Sequence, residues 1–94
     1  MFTCFMYGNY TSDALKEIST DRTRLVVTGI HEAGGEVRSM YALLGDSDLV
    51  FIVDFPDVSQ AIKASISMTH LTGIAFSTTA ALPIEEFDAM MEGL

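Results

Sequence analysis

The sequence has few basic residues, and this scarcity argues against nucleic acids and anionic membranes as partners. Lysine and arginine account for 5 of its 94 residues, against 13 aspartates and glutamates, and the formal net charge is −8. The bases are scattered along the chain, at Lys16, Arg22, Arg24, Arg38 and Lys63. Nucleic acids and anionic membrane surfaces are bound by clustered cationic side chains. We therefore expect the chain to bind neither of them.

The sequence also lacks disulfides and long apolar runs. Its one cysteine, Cys4, has no partner within the chain and lies in an apolar segment, which is typical of a small core residue. No apolar run approaches the roughly 18 residues that a membrane-spanning helix needs. The first ten residues lack the basic start and the long apolar core of a signal peptide. These absences predict a cytoplasmic protein.

Motifs of metal binding and nucleophilic catalysis are missing as well. The two histidines, His31 and His70, stand far apart in sequence, and Cys4 has no second cysteine beside it. The chain contains no G-x-S-x-G, C-x-x-C or phosphate-binding glycine motif. We therefore predict no metal and no cofactor, and whether the protein is an enzyme stays open.

Apolar residues, by contrast, are abundant. They make up 49% of a chain whose length fits one domain spanning residues 1–94. A domain of this size buries only about 60–65% of the surface of its unfolded chain. Part of the remaining apolar surface is therefore expected to lie in an interface between subunits.

The order of the predicted elements indicates the fold. Four strands and two longer helices are expected, with a short acidic helix at the end: strands over 2–7, 36–44, 48–55 and 74–81, helices over 11–33 and 57–72, and the last helix over 82–91. Ser19-Thr20-Asp21 is a point where the first helix could break and restart. The order β-α-β-β-α-β predicts a ferredoxin-like α+β fold, with two helices on one face of an antiparallel sheet of strand order 4-1-3-2.

The hairpin of the second and third strands has two unlike faces. A two-residue turn is expected at Gly45-Asp46 or Asp46-Ser47, and both turns give the same alternation of side chains. One face is nearly all apolar and should meet the helices: Arg38, Met40, Ala42, Leu44, Leu49, Phe51 and Val53. The other face, called here the mixed face, combines apolar and polar side chains: Val37, Ser39, Tyr41, Leu43, Asp48, Val50, Ile52 and Asp54.

The mixed face predicts self-association. Two helices cannot cover both faces of one sheet, and the mixed face would leave a large apolar patch in water. We therefore predict a homodimer, or a larger homo-oligomer, in which two sheets pack face to face. Ser39, Tyr41 and Asp48 are expected at or near that interface.

Five polar residues are candidates for a ligand site: Tyr41, Asp48, Arg22, Ser39 and Asp54. Tyr41 could bind a ligand through its hydroxyl, although an interface aromatic is the favoured reading. Asp48 could act as a base, or it could accept backbone N–H bonds around Gly45 and fix the turn, which is favoured. Asp54 fits a solvated strand end better than a catalytic acid. For Arg22, an ion pair with Asp48 or Asp54 is favoured over an anionic ligand.

Short motifs typical of one known family are spread over nearly the whole sequence: Tyr10-Thr11, Arg22, Gly34-Gly35, Tyr41, Gly45, Asp48, Pro56-Asp57 and the tail TTAALPIEEFDAMM. Through these motifs the chain resembles the GYD-domain family of the dimeric α/β-barrel superfamily. Ser47 stands where the family's name motif has tyrosine, so a role of that tyrosine is not carried over. The resemblance implies a ferredoxin-like fold assembled through its sheets, and it implies no particular reaction.

Two functions follow from these expectations. The favoured one is a small binding or interaction module that holds a small molecule between sheet and helices, with Tyr41, Asp48 and Arg22 near the pocket. The alternative is an enzyme of the small-monooxygenase type found in that superfamily, in which Asp48, Tyr41 or His70 handles protons. The first is favoured because no catalytic constellation stands out in the sequence.

Overall fold

The computed structural model describes residues 1–94 and contains one antiparallel sheet of four strands. The elements follow one another as β1 (Phe2–Asn9), α1 (Ser12–Lys16), α2 (Thr20–Glu32), β2 (Glu36–Ala42), β3 (Leu49–Phe55), α3 (Val58–Thr72), β4 (Ala75–Ala81) and α4 (Ile84–Met91). The strands lie in the order β2-β3-β1-β4. The predicted strand order and the ferredoxin-like α+β class are therefore confirmed.

The predicted first helix is interrupted at residues 17–19, and α2 restarts within the predicted weak point Ser19-Thr20-Asp21. The hydroxyl of Thr11 caps α1 by accepting a hydrogen bond from the N–H of Ala14 at 3.1 Å. The hydroxyl of Ser19 caps α2 in the same way, accepting from the N–H of Arg22 at 3.0 Å. Each cap satisfies a backbone donor that the start of a helix leaves without a partner. The chain can therefore end one helix and begin another within a few residues.

The connection between β2 and β3 is longer than the predicted two-residue turn. The N–H of Leu43 donates to the carbonyl of Asp48 at 2.8 Å, so residues 44–47 form a four-residue loop. The favoured two-residue hairpin turns need a positive φ, and no residue of this loop has one, Gly45 included. Because the loop still has an even number of residues, the alternation of side chains beside it is as predicted.

A β-bulge in β2 overturns part of the predicted face assignment. The register shifts between Val37 and Ser39, which leaves Arg38 without a partner on β3. One extra residue reverses the alternation beyond it. Val37 therefore packs against the core, while Arg38 turns to the mixed face and forms an ion pair with Asp54. The alternation rule predicts the reverse for Val37 and Arg38, because it assumes an unbroken ladder.

The hydrophobic core lies between one sheet face and the helices α2 and α3. Its buried members come from both strands and helices: Cys4, Met6, Val26, Ile30, Phe51, Val53, Phe55, Ala61, Ala64 and Met68. Cys4 is a free, buried thiol in this core, as predicted. Side chains on the first and third strands supply half of this set, because those strands are central in the sheet.

The mixed face is covered by neither α2 nor α3. It continues from the hairpin onto β1, since Phe5 pairs with Ile52 and Tyr7 with Val50. The rings of Phe5 and Tyr7 lie 6.3 Å apart on this face. An aromatic and aliphatic surface of this kind is typical of an interface. Face-to-face packing of two such sheets stays a prediction.

α4 differs from the other helices because none of its residues is buried. The molecule is elongated, with extents of 51, 29 and 18 Å. Its radius of gyration is 14.3 Å, whereas a compact domain of this length has about 12 Å. None of the helices is long and apolar enough to cross a membrane.

Candidate functional site

A cavity of about 200 Å³ lies between the α1–α2 segment and the helix-facing side of the sheet. Most of its wall is hydrophobic, and its lining comes from five parts of the chain: Tyr10, Ile18, Ser19, Arg22, Thr23, Val26, Met40, Tyr41, Ala42, Leu49, Phe51 and Ile74. The interruption between α1 and α2 contributes Ile18 and Ser19 to this wall. The cavity is therefore suited to a small, mainly apolar molecule.

Arg22 provides the one charged side chain of the cavity wall. Its Nη1 donates to the carbonyl of Ala14, and its guanidinium carbon lies 5.5 Å from the centroid of the Tyr10 ring. The ring and the carbonyl stabilise the positive charge without neutralising it. The half-buried guanidinium therefore has further N–H donors, and no carboxylate of the chain pairs with it.

The predicted ion pair of Arg22 with Asp48 or Asp54 is not formed. The chain has two ion pairs, Arg24 with Asp21 at 3.7 Å and Arg38 with Asp54. The bulge in β2 explains the difference, because it turns Arg38 onto the face of Asp54 and so supplies that carboxylate with a nearer partner.

Asp48 ties the end of β1 to the β2–β3 loop. Its carboxylate accepts the N–H of Tyr10 at 2.8 Å, and its own N–H donates to the carbonyl of Gly8 at 2.9 Å. The backbone bond was expected around Gly45, and the structure instead places it 38 residues away in sequence. Asp48 does not line the cavity, but it positions Tyr10, which does.

Tyr41 and Ser39 lie on β2, at the edge of the sheet. Tyr41 borders the cavity, while its side chain follows the mixed face and is 56% exposed. Ser39 is half-buried on the mixed face and does not line the cavity. Tyr41 is therefore the one predicted site residue that belongs to both surfaces.

Asp54 is buried, at 6% exposure, which corrects its prediction as a solvated strand end. It accepts hydrogen bonds from Arg38 and from the hydroxyl of Thr3, the latter at 2.7 Å. The Arg38 guanidinium, helped by Thr3, holds the pKa of this carboxyl below its usual range. Asp54 lies on the mixed face and not at the cavity.

Sequence reasoning missed two contributors to these sites. The alternation of side chains places Arg38 with the helix-facing residues, and the one signal against that placement is its charge in an otherwise apolar row. Tyr10 is part of the family resemblance but is not among the candidate site residues. Its contacts with Arg22 and Asp48 depend on tertiary packing, which the sequence does not show. His70 is exposed and lies outside the cavity wall.

Two solved regulators share the fold. The leucine response regulatory protein (LrpA) of Mycobacterium tuberculosis has a TM-score of 0.63 at 15% identity, over 87% of this chain and 51% of that one. An AsnC family transcriptional regulator from Agrobacterium tumefaciens has a TM-score of 0.58 at 22% identity, over 86% of this chain and 50% of that one. The chain thus spans about half the length of each, and the likeness concerns the fold alone. No protein of curated function matches the sequence.

The sequence itself matches the model of the GYD domain over residues 4–91. This match includes all of the fold's elements except the first two residues of β1, and it includes the residues that carry the resemblance, among them Arg22, Tyr41 and Asp48. The chain therefore belongs to the GYD domain family.

Proposed function

We propose that the protein is a homo-oligomeric binding module whose cavity holds a small apolar molecule with one carboxylate or similar anionic group. The observation that carries the proposal is Arg22, a half-buried guanidinium without a carboxylate partner on an otherwise uncharged wall. A charge removed from water is costly unless it is paired. A bound anion would supply the missing partner.

The chemistry of arginine supports a carboxylate. Its guanidinium is a planar fork of five donors, and one of these is engaged by the Ala14 carbonyl. The remaining donors match the two oxygens of a carboxylate. Tyr10 packs against one side of the guanidinium, so a ligand would approach from another side.

The size of the cavity limits the ligand. A volume of about 200 Å³ equals roughly seven water-sized volumes of about 30 Å³ each. Short-chain carboxylic acids with a branched or linear apolar body are in this range. The name of one fold neighbour, a leucine response regulatory protein, refers to a molecule of similar chemistry, and leucine is therefore one of the probes.

Self-association through the mixed face is part of the proposal. Phe5, Tyr7 and Ile52 form an apolar surface on the side of the sheet away from the helices. Tyr41 borders both this surface and the cavity, so occupancy of one can affect the other. We further propose a cytoplasmic location for this module.

The enzyme alternative has no comparable observation in its favour. Three groups are candidates for proton transfer: Asp48, Tyr41 and His70. Of these, Tyr41 alone lines the cavity. Asp48 is engaged with the backbone of Tyr10.

Isothermal titration calorimetry tests the proposed ligand class. Isovalerate and leucine are titrated into the protein, and the uncharged amide of isovalerate serves as the matched probe. We expect a carboxylate to bind wild-type protein and Arg22→Ala to weaken it by roughly tenfold to a hundredfold, the effect of losing a charged hydrogen bond. Arg24→Ala, on the exposed side of the same helix, should bind normally. Equal binding by Arg22→Ala, or no carboxylate binding by wild type, would contradict the proposal.

A further inference from the structure

α4 presents an apolar side that its own chain leaves exposed. Ile84, Phe87 and Met91 are spaced three and four apart, so they lie on one side of this helix. Phe87 is 43% exposed, and Ile84 and Met91 are exposed as well. Beside Ala89 and Met90, the rest of the helix and its end carry acidic residues: Glu85, Glu86, Asp88 and Glu92. The helix therefore has one side suited to an apolar partner and another suited to water.

A second exposed apolar surface runs beside β4 at the edge of the sheet. Val58, Ile62 and Ile66, each four residues apart, form a ridge along α3, and Ile62 is 55% exposed. Between this ridge and the sheet lies a groove of about 260 Å³, whose floor includes Phe2 and Ala80. The groove is called here the α3–β4 groove. No charged residue lines it, although the chain carries a net charge of −8.

The chain's own α4 lies outside this groove, and none of its residues lines the groove. The two residues between β4 and α4 account for this. Leu82 precedes a proline and is therefore restricted to extended conformations. Pro83 is extended too, with φ −55° and ψ 141°. The chain thus continues away from β4 instead of folding back over α3.

We propose that α4 of one copy packs its apolar side into the α3–β4 groove of a second copy. The two surfaces match in character, since the apolar side of α4 meets an uncharged groove while its acidic side stays in water. Each copy offers one helix and one groove, so a reciprocal exchange about a two-fold axis closes the assembly. The single chain is elongated, 51 Å against 29 and 18 Å, as expected of a subunit whose α4 extends away from its own core to contact a second copy.

This contact is separate from the mixed face. The α3–β4 groove is on the helix side of the sheet, where Cys4 and Ala80 point, whereas Phe5 and Ile52 point to the other side. Sheet pairing and helix exchange can therefore occur together or alone, and each needs its own test.

Chemical cross-linking of co-expressed chains tests the exchange. One chain carries Phe87→Cys and the other, with a different tag, carries Ile62→Cys, both in a Cys4→Ala background. We expect a short bis-maleimide to join the two differently tagged chains in high yield. The matched control replaces Ile62→Cys by Ser67→Cys, an exposed position on the opposite side of α3, and should cross-link at least tenfold less.

Three results would overturn the proposal. Equal cross-linking at Ser67→Cys, or none at either position, would show that α4 does not occupy the groove. Joining of two Phe87→Cys chains to each other in place of Ile62→Cys would show that α4 pairs with α4. In a chain that carries both Phe87→Cys and Ile62→Cys, a cross-link within one chain as the main product would show that α4 covers its own groove.

Discussion

Asp54 is the one charged residue among the buried residues of the chain. It is buried on the mixed face, and both Arg38 and Thr3 donate hydrogen bonds to it. Because these donors favour the ionised carboxylate, its pKa is lower in the folded chain than in the unfolded one. A carboxyl with a lowered pKa stabilises the fold above its unfolded pKa, and this contribution disappears as the pH falls through the folded pKa.

We therefore expect Asp54→Asn to destabilise the protein at neutral pH, and to destabilise it less as the pH falls below the unfolded pKa of the carboxyl. The loss at pH 7 should be about 1–3 kcal/mol, since Arg38 is partly exposed and its contribution is reduced by solvent. Urea unfolding at pH 7 and at pH 3 measures this loss in the free energy of unfolding. Asp21→Asn removes the exposed ion pair with Arg24 and should cost less than about 0.5 kcal/mol at either pH. A loss at Asp54 that is the same at both pH values would contradict this account.

Asp48 is expected to act through structure and not as a base. In Asp48→Ala the N–H of Tyr10 loses its acceptor, and the expected cost is about 1–3 kcal/mol in the free energy of unfolding. Asp48→Asn keeps an oxygen at the same place and should restore most of the stability without restoring a basic group. Urea unfolding of both variants decides between the roles, because a base with no structural task would leave stability unchanged in each.

At the scale of elements, the end of α2 depends on a glycine that packs closely on β3. A Cβ added at Gly35 would lie 2.6 Å from the Phe55 ring and 2.8 Å from a methyl of Ile30. Gly45, in the β2–β3 loop, has no atom within 4 Å of such a Cβ and has no positive φ.

Gly35→Ala should therefore destabilise the fold, and Gly45→Ala should not. Overpacking of this kind costs about 1–3 kcal/mol, whereas alanine at an unstrained loop position is neutral or stabilising by about 0.4–1 kcal/mol. Thermal unfolding of the two variants beside the wild type measures both. Equal melting temperatures would mean that α2 shifts to accommodate the new methyl group.

The β2–β3 hairpin shows where the alternation of side chains predicts the sheet faces correctly and where it fails. Alternation correctly places Met40 and Ala42 toward the helices, because a buried face imposes a strict period of two. The pattern fails at Val37 and Arg38, since a bulge shifts the register and the charge of Arg38 is the one local sign of it. The break of the first helix was predictable from the capping residue Ser19, whose hydrogen bond is local.

The candidate site was less predictable than the fold for a related reason. Arg22 and Tyr41 are both at the cavity, as hypothesised, but Asp48 and Asp54 are elsewhere. Their partners, the N–H of Tyr10 and the side chains of Thr3 and Arg38, are 16 to 51 residues distant in sequence. Which of several carboxylates meets a given donor depends on register and packing, which a single sequence does not specify.

At the scale of the whole molecule, the mixed face should hold two copies together. Ile52 lies in the centre of this face, opposite Phe5 on β1. We expect Ile52→Lys to shift the protein toward a monomer of 10.2 kDa, because a charge at the centre of an apolar interface is costly to desolvate.

Sedimentation velocity at micromolar concentration measures this shift. Thr28→Lys, at an exposed position on α2, is the matched control and should leave the assembly intact. A wild-type protein that already sediments as a 10.2 kDa monomer would rule out sheet pairing. An oligomer that persists in Ile52→Lys would contradict sheet pairing and indicate that the exchange of α4 holds the copies together.

The single cysteine has a practical consequence for following these events in time. Cys4 is 2% exposed in a central strand, and burial, with a smaller effect from the charge of Asp54, raises the pKa of its thiol. A thiol-specific dye should therefore react with it only when α3 moves away from the sheet or the chain unfolds. The rate of dye incorporation then measures opening of the core beneath α3, and it should decrease whenever a ligand or a second copy stabilises the closed form.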